Sequence, residues 1–343
     1  MSGQAIDIQQ AIQAAVEGHD LAGEQMTAVM RAVMSGHATP AQIAGLLVGL
    51  RMKGETAAEL AAAASVMREF STRVKVPTDC LVDTCGTGGD AKGTFNISTA
   101  AAFVVAAAGG SVAKHGNRSV SGTSGSADVL EAAGVNLELT PVQVARCIEE
   151  VGIGFLFAPA HHSAMKHAAG VRRELGVRTM FNLLGPLTNP AGAQHQVLGV
   201  FASTWVEPIA QVLQLLGSKH ALVIHADDGL DEISTASETK VAELKEDRVT
   251  TYRISPWQFG IEPYDLDDIV VHDVQQSLAM VNAAFSRKTN AASEIVKLNA
   301  GAALYACNQV STLAEGIELA GSTIASGEAA NKFRQFITYT NEF

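Results

Sequence analysis

The segment Leu81-Val82-Asp83-Thr84-Cys85-Gly86-Thr87-Gly88-Gly89-Asp90, continued by Thr94-Phe95-Asn96-Ile97-Ser98-Thr99, decides the fold. A short β-rich run leads into three glycines within four residues, and a helical pattern follows from Ser98 to Ala108. Strand, glycine loop and helix in that order form one unit of a parallel sheet covered by helices. Glycine lets the backbone come close to a ligand and adopt positive φ. The unpaired N–H groups and aligned dipoles of a first helical turn attract anionic oxygens. Asn96, Ser98 and Thr99 stand at that terminus, where they are expected both to cap the helix and to hold a phosphate. The pattern is not a dinucleotide fingerprint, because no GxGxxG opens directly into a helix. Nor is it a P-loop, since no Gly-Lys-Ser/Thr follows.

Downstream, the same texture repeats. Ser111 to Ala113 reads as the next strand, and the loop Lys114-His115-Gly116-Asn117-Arg118-Ser119-Val120-Ser121-Gly122-Thr123-Ser124-Gly125 leads into a helix from Ser126 to Ala133. Both loops leave the sheet at its carboxyl edge, where ligands of such sheets sit. Lys114 and Arg118 offer charge to phosphate, the serines and glycines offer hydroxyls and N–H groups, and Asn117 can orient a neutral polar group. The plainer alternative is a solvated basic turn with His115 exposed. Gly154 to Ala158 reads as a third strand and Ala221 to His225 as another. Directly after it comes Asp227-Asp228-Gly229-Leu230-Asp231-Glu232. Alone, this is as well read as an acidic surface turn. Beside two phosphate loops, Asp231 and Glu232 suit magnesium, which takes one or two protein carboxylates plus phosphate oxygens and water.

Upstream, the first 72 residues read as consecutive helices. Thr39-Pro40-Ala41-Gln42 and Thr56-Ala57-Ala58-Glu59 match the capping box, and Gly18, Gly36 and Gly54 stand where helices stop. The segment His161 to Leu184, polar and basic and closed by Gly185-Pro186, is again helical in character. It is expected to return onto the first helices. Of its neighbouring arginines, Arg172 and Arg173, one is expected to fork a carboxylate in the cleft while the other pairs with an acid outside. His161 and His162 read as hinge packing rather than as catalysts. The fold class is therefore α/β: a small discontinuous all-helical domain, 1–73 with about 164–184, and a large domain with a mostly parallel sheet, 78–163 with 190–343.

The totals agree with an enzyme of this kind. The chain has 343 residues, 47% of them hydrophobic and 17% charged, enough for a large buried core. A formal net charge of -11 argues against nucleic acid as the main partner. The amino terminus shows no signal-peptide pattern, and the apolar run Ala100 to Ala108 is about half the length a membrane span needs, so a cytoplasmic protein is expected. Cys80, Cys85, Cys147 and Cys307 have no metal-ligand spacing and read as reduced core residues.

DTCGTGGD, FNIST, KHGNRS with GSADVLEAAG, MKHAAGVRRELGVRTMFNLLGPLTNP and GLDEIS, in this order, resemble the anthranilate phosphoribosyltransferase family of tryptophan biosynthesis over nearly the whole chain. The resemblance implies a nucleoside phosphorylase-like fold, usually a homodimer through the helical domain. It implies transfer of phosphoribosyl from 5-phospho-α-D-ribose 1-diphosphate to the amino group of anthranilate, with two magnesium ions per chain. Position by position, the donor would be bound by Gly86, Gly89, Asp90, Thr94, Asn96, Ile97, Ser98 and Thr99, then by Lys114, His115, Gly116, Asn117, Arg118, Ser119, Val120, Ser121, Gly122 and Ser126. Gly86, Asn117 and Arg172 would contact anthranilate, and Ser98, Asp231 and Glu232 would ligate magnesium. No acid–base residue is implied. The chain departs from the family pattern at Gly122, where a second serine is usual, and at Ser163 and Gly170, where prolines are usual. The alternatives are a pyrimidine nucleoside phosphorylase, whose phosphate loop starts with a lysine–histidine–serine run that DTCGTGGD lacks, and a nucleic-acid-binding relative of the fold.

Overall fold

The computed structural model describes residues 6–78, 80–119 and 124–343. Four helices open it: α1 (Ile8–Val16), α2 (Gly23–Met34), α3 (Pro40–Lys53) and α4 (Ala57–Glu69). Thr39 and Thr56 cap α3 and α4 in reciprocal boxes with Gln42 and Glu59. Glu59 is fully buried but not orphaned, because its carboxylate accepts from Leu21 N–H and Thr56 N–H and pairs with Lys53 at 2.9 Å.

The large body alternates strands and helices. It runs β1 (Leu81–Gly86), α5 (Ile97–Ala107), β2 (Ser111–Gly116), α6 (Ser126–Ala132), α7 (Pro141–Val151) and β3 (Ile153–Phe157). An excursion follows through α8 (Ala158–His161), α9 (Lys166–Leu175) and α10 (Phe181–Leu184). The chain returns as β4 (His195–Gly199), α11 (Val206–Leu215), β5 (His220–Ala226), β6 (Thr239–Lys245) and β7 (Arg248–Ile254). It ends in α12 (Val274–Ala284), α13 (Ala291–Ala306), α14 (Leu313–Ser326) and α15 (Glu328–Thr340). The excursion packs on the opening helices, α9 against α2 and α3 and α10 against α4. Ala168, Val171, Phe181 and Leu184 share one apolar cluster with Met30, Leu46 and Leu60.

The seven-stranded sheet has the order β3-β2-β1-β4-β5-β6-β7. The first five strands are parallel, while β6 and β7 form an antiparallel hairpin on the edge. Sequence reading did not find that hairpin. Its turn is Glu246-Asp247, both at positive φ, as a two-residue hairpin loop demands. The chain leaves β1 toward β2 and β3, then comes back to lay β4 on the other side of β1. That reversal opens a crevice at the carboxyl ends of β1 and β4, the switch point at which ligands of open α/β sheets sit.

The other end of the sheet carries a buried polar knot. Glu243 on β6 accepts from Tyr305 at 2.7 Å and Tyr252 at 3.0 Å and meets His220 Nε2 at 2.9 Å. These bonds hold its carboxyl down at about 2, against the burial that would raise it.

Candidate functional site

The crevice is built from strand ends. Asp83 lies inside β1 with no exposure, yet every carboxylate contact is answered: His115 N–H donates at 3.2 Å and Asn189 Nδ2 at 2.8 Å. Burial pushes its carboxyl up to about 6, against the pull of nearby Lys114. Lys114, at the end of β2 and almost wholly buried, donates to Thr84 O at 2.5 Å and to Ser98 Oγ at 3.3 Å. It thereby ties both glycine-loop strands to the start of α5. Burial lowers its pKa, and the surrounding acids oppose that.

The acidic turn after β5 divides its labour. Asp227 pairs with Arg253, and Asp228 accepts from Leu230 N–H and Ser234 Oγ, so these two shape the turn itself. Asp231 and Glu232 instead reach across the crevice. Asp231 Oδ2 accepts Gly88 N–H at 2.9 Å, and Glu232 Oε1 accepts Ser98 N–H at 3.2 Å. Burial, then the charge of Asp90, raises Asp231 to about 7. Burial, then Asp231, raises Glu232 well above its usual range. Three acids thus crowd a spot that has Lys114 as its near cation. Such a set favours a divalent cation, and magnesium needs only one or two protein carboxylates beside substrate oxygens. Among the described residues there is no ready-made cage of three or more histidine, cysteine or acid side chains.

The glycine loop is held open by its backbone, with Gly88, Gly89 and Gly93 all at positive φ. Thr94 forms a single bridge with Val270, and Phe95 N–H donates to Ile269 O, so the loop's far side rests on 269–271. Asn96 stands at the N-cap of α5, but its side chain does not cap it. Its amide oxygen accepts from Ser124 at 2.8 Å and Ser277 at 2.7 Å, joining this helix start to the second loop and to α12. The expected capping role is corrected accordingly. Ile97 is core, and Thr99 Oγ1 is buried with no partner among the described residues.

The second loop is placed as follows. His115 is buried rather than exposed, and burial and the neighbouring His162 push its pKa down to about 3. A Cβ on Gly116 would strike Ser126 Oγ at 2.1 Å, so the loop and α6 close tightly there. The Asn117 carbonyl accepts from Ala127 N–H and Ser126 Oγ. Arg118 turns its guanidinium to Glu131, at 2.7 and 2.8 Å, and to Asp128. Ser119 N–H donates to Asp128 at 2.9 Å. Val120, Ser121 and Gly122 lie outside the described residues.

On α9, Arg172 lies half-buried with its guanidinium 5.4 Å from the Phe181 ring, and burial lowers its pKa. Among the described residues it has no acid partner, which leaves it available for a ligand carboxylate. Arg173 is exposed and forms no ion pair among the described residues, so the outer pairing expected for it is absent. His161 exchanges bonds with Thr72 through Nδ1 and through the backbone, each 2.8 Å, and so ties the segment after β3 to the end of the opening helices. Cys85, Cys147 and Cys307 are buried free thiols, while Cys80 is only partly covered. Among the described residues no helix is long and apolar enough to cross a membrane.

Sequence reasoning missed Asn189, Ser277, Gly199 and Arg178. A Cβ on Gly199, which pairs with Gly86 in the β1–β4 register, would stand 1.5 Å from Asp231 O. Arg178 donates to the Gly89 carbonyl and lies over the Phe201 ring at 4.5 Å. The glycine in HQVLGVF at a strand end was the readable signal for Gly199; none marked Arg178 among its neighbours. A hollow of about 550 Å³ is lined by Arg68, Arg73, Lys75 and Asn189, the last of which also donates to Asp83 of the crevice.

Comparison with known proteins places these features in context. Residues 78–330 match the glycosyl transferase family, a/b domain, and residues 9–71 the glycosyl transferase family, helical bundle domain. Anthranilate phosphoribosyltransferase of Thioalkalivibrio sulfidiphilus is 62% identical over 335 residues, spanning 98% of this chain and 99% of its own. That of Alkalilimnicola ehrlichii is 58% identical over 337 residues, spanning 98% and 100%. The crystal structure of anthranilate phosphoribosyltransferase from Thermus thermophilus superposes with a TM-score of 0.92 at 43% identity, covering 96% of this chain and 99% of that one. The Saccharomyces cerevisiae enzyme in complex with PRPP and Mg shares the fold, with a TM-score of 0.89 at 24% identity over 98% of each chain.

Proposed function

The chain belongs to the anthranilate phosphoribosyltransferase family, and from that premise we propose that its crevice moves phosphoribosyl from 5-phospho-α-D-ribose 1-diphosphate to the amino group of anthranilate, releasing diphosphate. The observation that carries this reading is the pair of bonds from Gly88 N–H to Asp231 and from Ser98 N–H to Glu232, which brings an acid pair onto the glycine loop and the start of α5.

Breaking the bond between ribose C1 and diphosphate builds an oxocarbenium-like centre, and the leaving group carries away charge. Ser98, Asp231 and Glu232 would hold magnesium, whose chemistry is to neutralise that charge. Gly86, Gly89, Asp90, Thr94, Asn96, Ser98 and Thr99 would bind the donor, with Lys114 to Ser119 and Ser126 completing its site. Lys114 keeps the two loops and the helix start in register while its charge offsets the acids around it. Asn117 and Gly86 face the acceptor, and Arg172 forks its carboxylate. The aromatic amine is neutral at pH 7 and attacks without a strong base, which suits a site with no acid–base dyad. The rate comes from positioning and from exclusion of water as the two bodies close.

The same reading extends to a magnesium pair, a division of the chain at 73/78 and 163/164 with return near 184/190, a cytoplasmic setting and a homodimer. Val16, Val48 and Met52, exposed at 71%, 41% and 81% on α1 and α3, offer the dimer an apolar face. The test is loss of anthranilate fluorescence on adding donor and magnesium to the purified chain, with diphosphate released in equal amount. Phosphorolysis of thymidine or uridine in place of that turnover would overturn the reading.

A further inference from the structure

We propose that Arg178 is a positioning residue for the donor's diphosphate, acting through the Gly89 peptide. This deepens the functional reading above and rests on it.

The Gly89 carbonyl is the acceptor of the Arg178 guanidinium. A trans peptide is planar, so the carbonyl of Gly89 and the N–H of Asp90 point in opposite directions. Fixing the one fixes the other. Gly89 sits at φ +76, a conformation that glycine adopts without the strain a side chain would bring. Among the described residues the Asp90 N–H meets no protein acceptor. Arg178 therefore presents a set donor to an incoming anion, on the side away from its own guanidinium.

The clasp has a built platform. The guanidinium lies 4.5 Å from the Phe201 ring centroid. Phe201 N–H donates to Thr87 Oγ1 at 3.0 Å, and Thr87 N–H donates to Gly199 O at 2.8 Å. The stacking surface and the loop are thus one piece. Only a planar guanidinium can stack on a ring with its face while donating in its plane; an ammonium cannot do both. Asp231 holds the adjacent Gly88 N–H, so the loop is gripped at two successive residues. Arg178 also belongs to the segment that carries Arg172 and packs on the opening helices. The donor loop and the reader of the acceptor carboxylate are joined through it.

The experiment compares wild type with Arg178→Ala, Arg178→Lys and Phe201→Leu, by steady-state kinetics and by calorimetry of donor binding with magnesium. Arg178→Ala should raise the donor KM and Kd about tenfold, with the anthranilate KM within about twofold and the melting point nearly unchanged. Arg178→Lys should recover little of this, and Phe201→Leu should show a smaller donor effect, about threefold. Donor KM and Kd within twofold of wild type in Arg178→Ala would overturn the proposal, as would an equal rise in both KM values with a lowered melting point. If wild type binds donor but does not turn over anthranilate, the functional reading falls, and the calorimetric ratio still judges the clasp.

Discussion

Gly199 leaves its side-chain space to Asp231: a Cβ there would stand 1.5 Å from the Asp231 carbonyl oxygen and 2.4 Å from its carbonyl carbon. The acidic turn crosses the end of β4 with no allowance for a methyl group. Gly199→Ala should cost about 3 kcal/mol or more, at the upper end for overpacking. In whatever protein folds, the turn must shift and the half-saturating magnesium concentration must rise. Denaturant unfolding and a metal titration check both, and a variant matching wild type in each would show that the crossing has slack.

Arg172 has a half-buried guanidinium and no acid partner among the described residues. Arg172→Ala should raise the anthranilate KM about 10- to 100-fold, the worth of a charged hydrogen-bonded pair, and leave the donor KM nearly unchanged. Equal effects on both substrates would remove it from the acceptor side.

The acids that reach Gly88 and Ser98 should govern metal dependence. Asp231→Asn with Glu232→Gln should shift the magnesium titration of activity about tenfold or more toward higher concentration. An unchanged titration would take the pair out of the metal site.

A pH prediction follows from His162, which is buried and whose pKa is pushed down to about 4, chiefly by burial and then by neighbouring His161. The unfolded chain takes up this proton near pH 6.5, but the folded one does not until near 4. The folded state therefore loses stability as pH falls through that window. At pH 5 the loss from this group is about 2 kcal/mol. His162→Phe should accordingly show a flatter stability curve than wild type between pH 7 and 5, measured by urea midpoints. Parallel curves would mean that His162 is protonated in the folded state.

Much of the fold was legible because its signals are local. Thr39 and Thr56 cap as their boxes dictate, and the helix expected from Ser98 to Ala108 runs from Ile97 to Ala107. Asp231 and Glu232 were the pair expected to serve magnesium, but what Asp227 and Asp228 do instead was not legible, because it depends on partners such as Arg253 and Ser234 that the turn meets only when folded. Asn96 carried a capping signature, yet Ser124 and Ser277 outbid the helix for its side chain. Partners far apart in sequence, such as Asn189 on Asp83 or Arg178 on Gly89, leave no mark in local pattern. Arg178 follows Arg172 and Arg173 in one basic segment, and packing alone decides which of them faces the cleft.

At the opposite end of the sheet, Glu243→Gln should lower stability by about 1 to 3 kcal/mol, since an amide cannot accept from Tyr252, Tyr305 and His220 together. Both KM values should hold. A changed KM would show that the two ends communicate.

That knot of Glu243 with two tyrosines and a histidine means that the molecule's reserves and its liabilities lie at opposite poles. Crowded acids near Gly88 burden the native state, and satisfied ones around β6 secure it. Lineages that reshape the crevice for another acceptor thus work on a frame whose anchorage is elsewhere, and substitutions there draw on stability that the crevice itself does not supply.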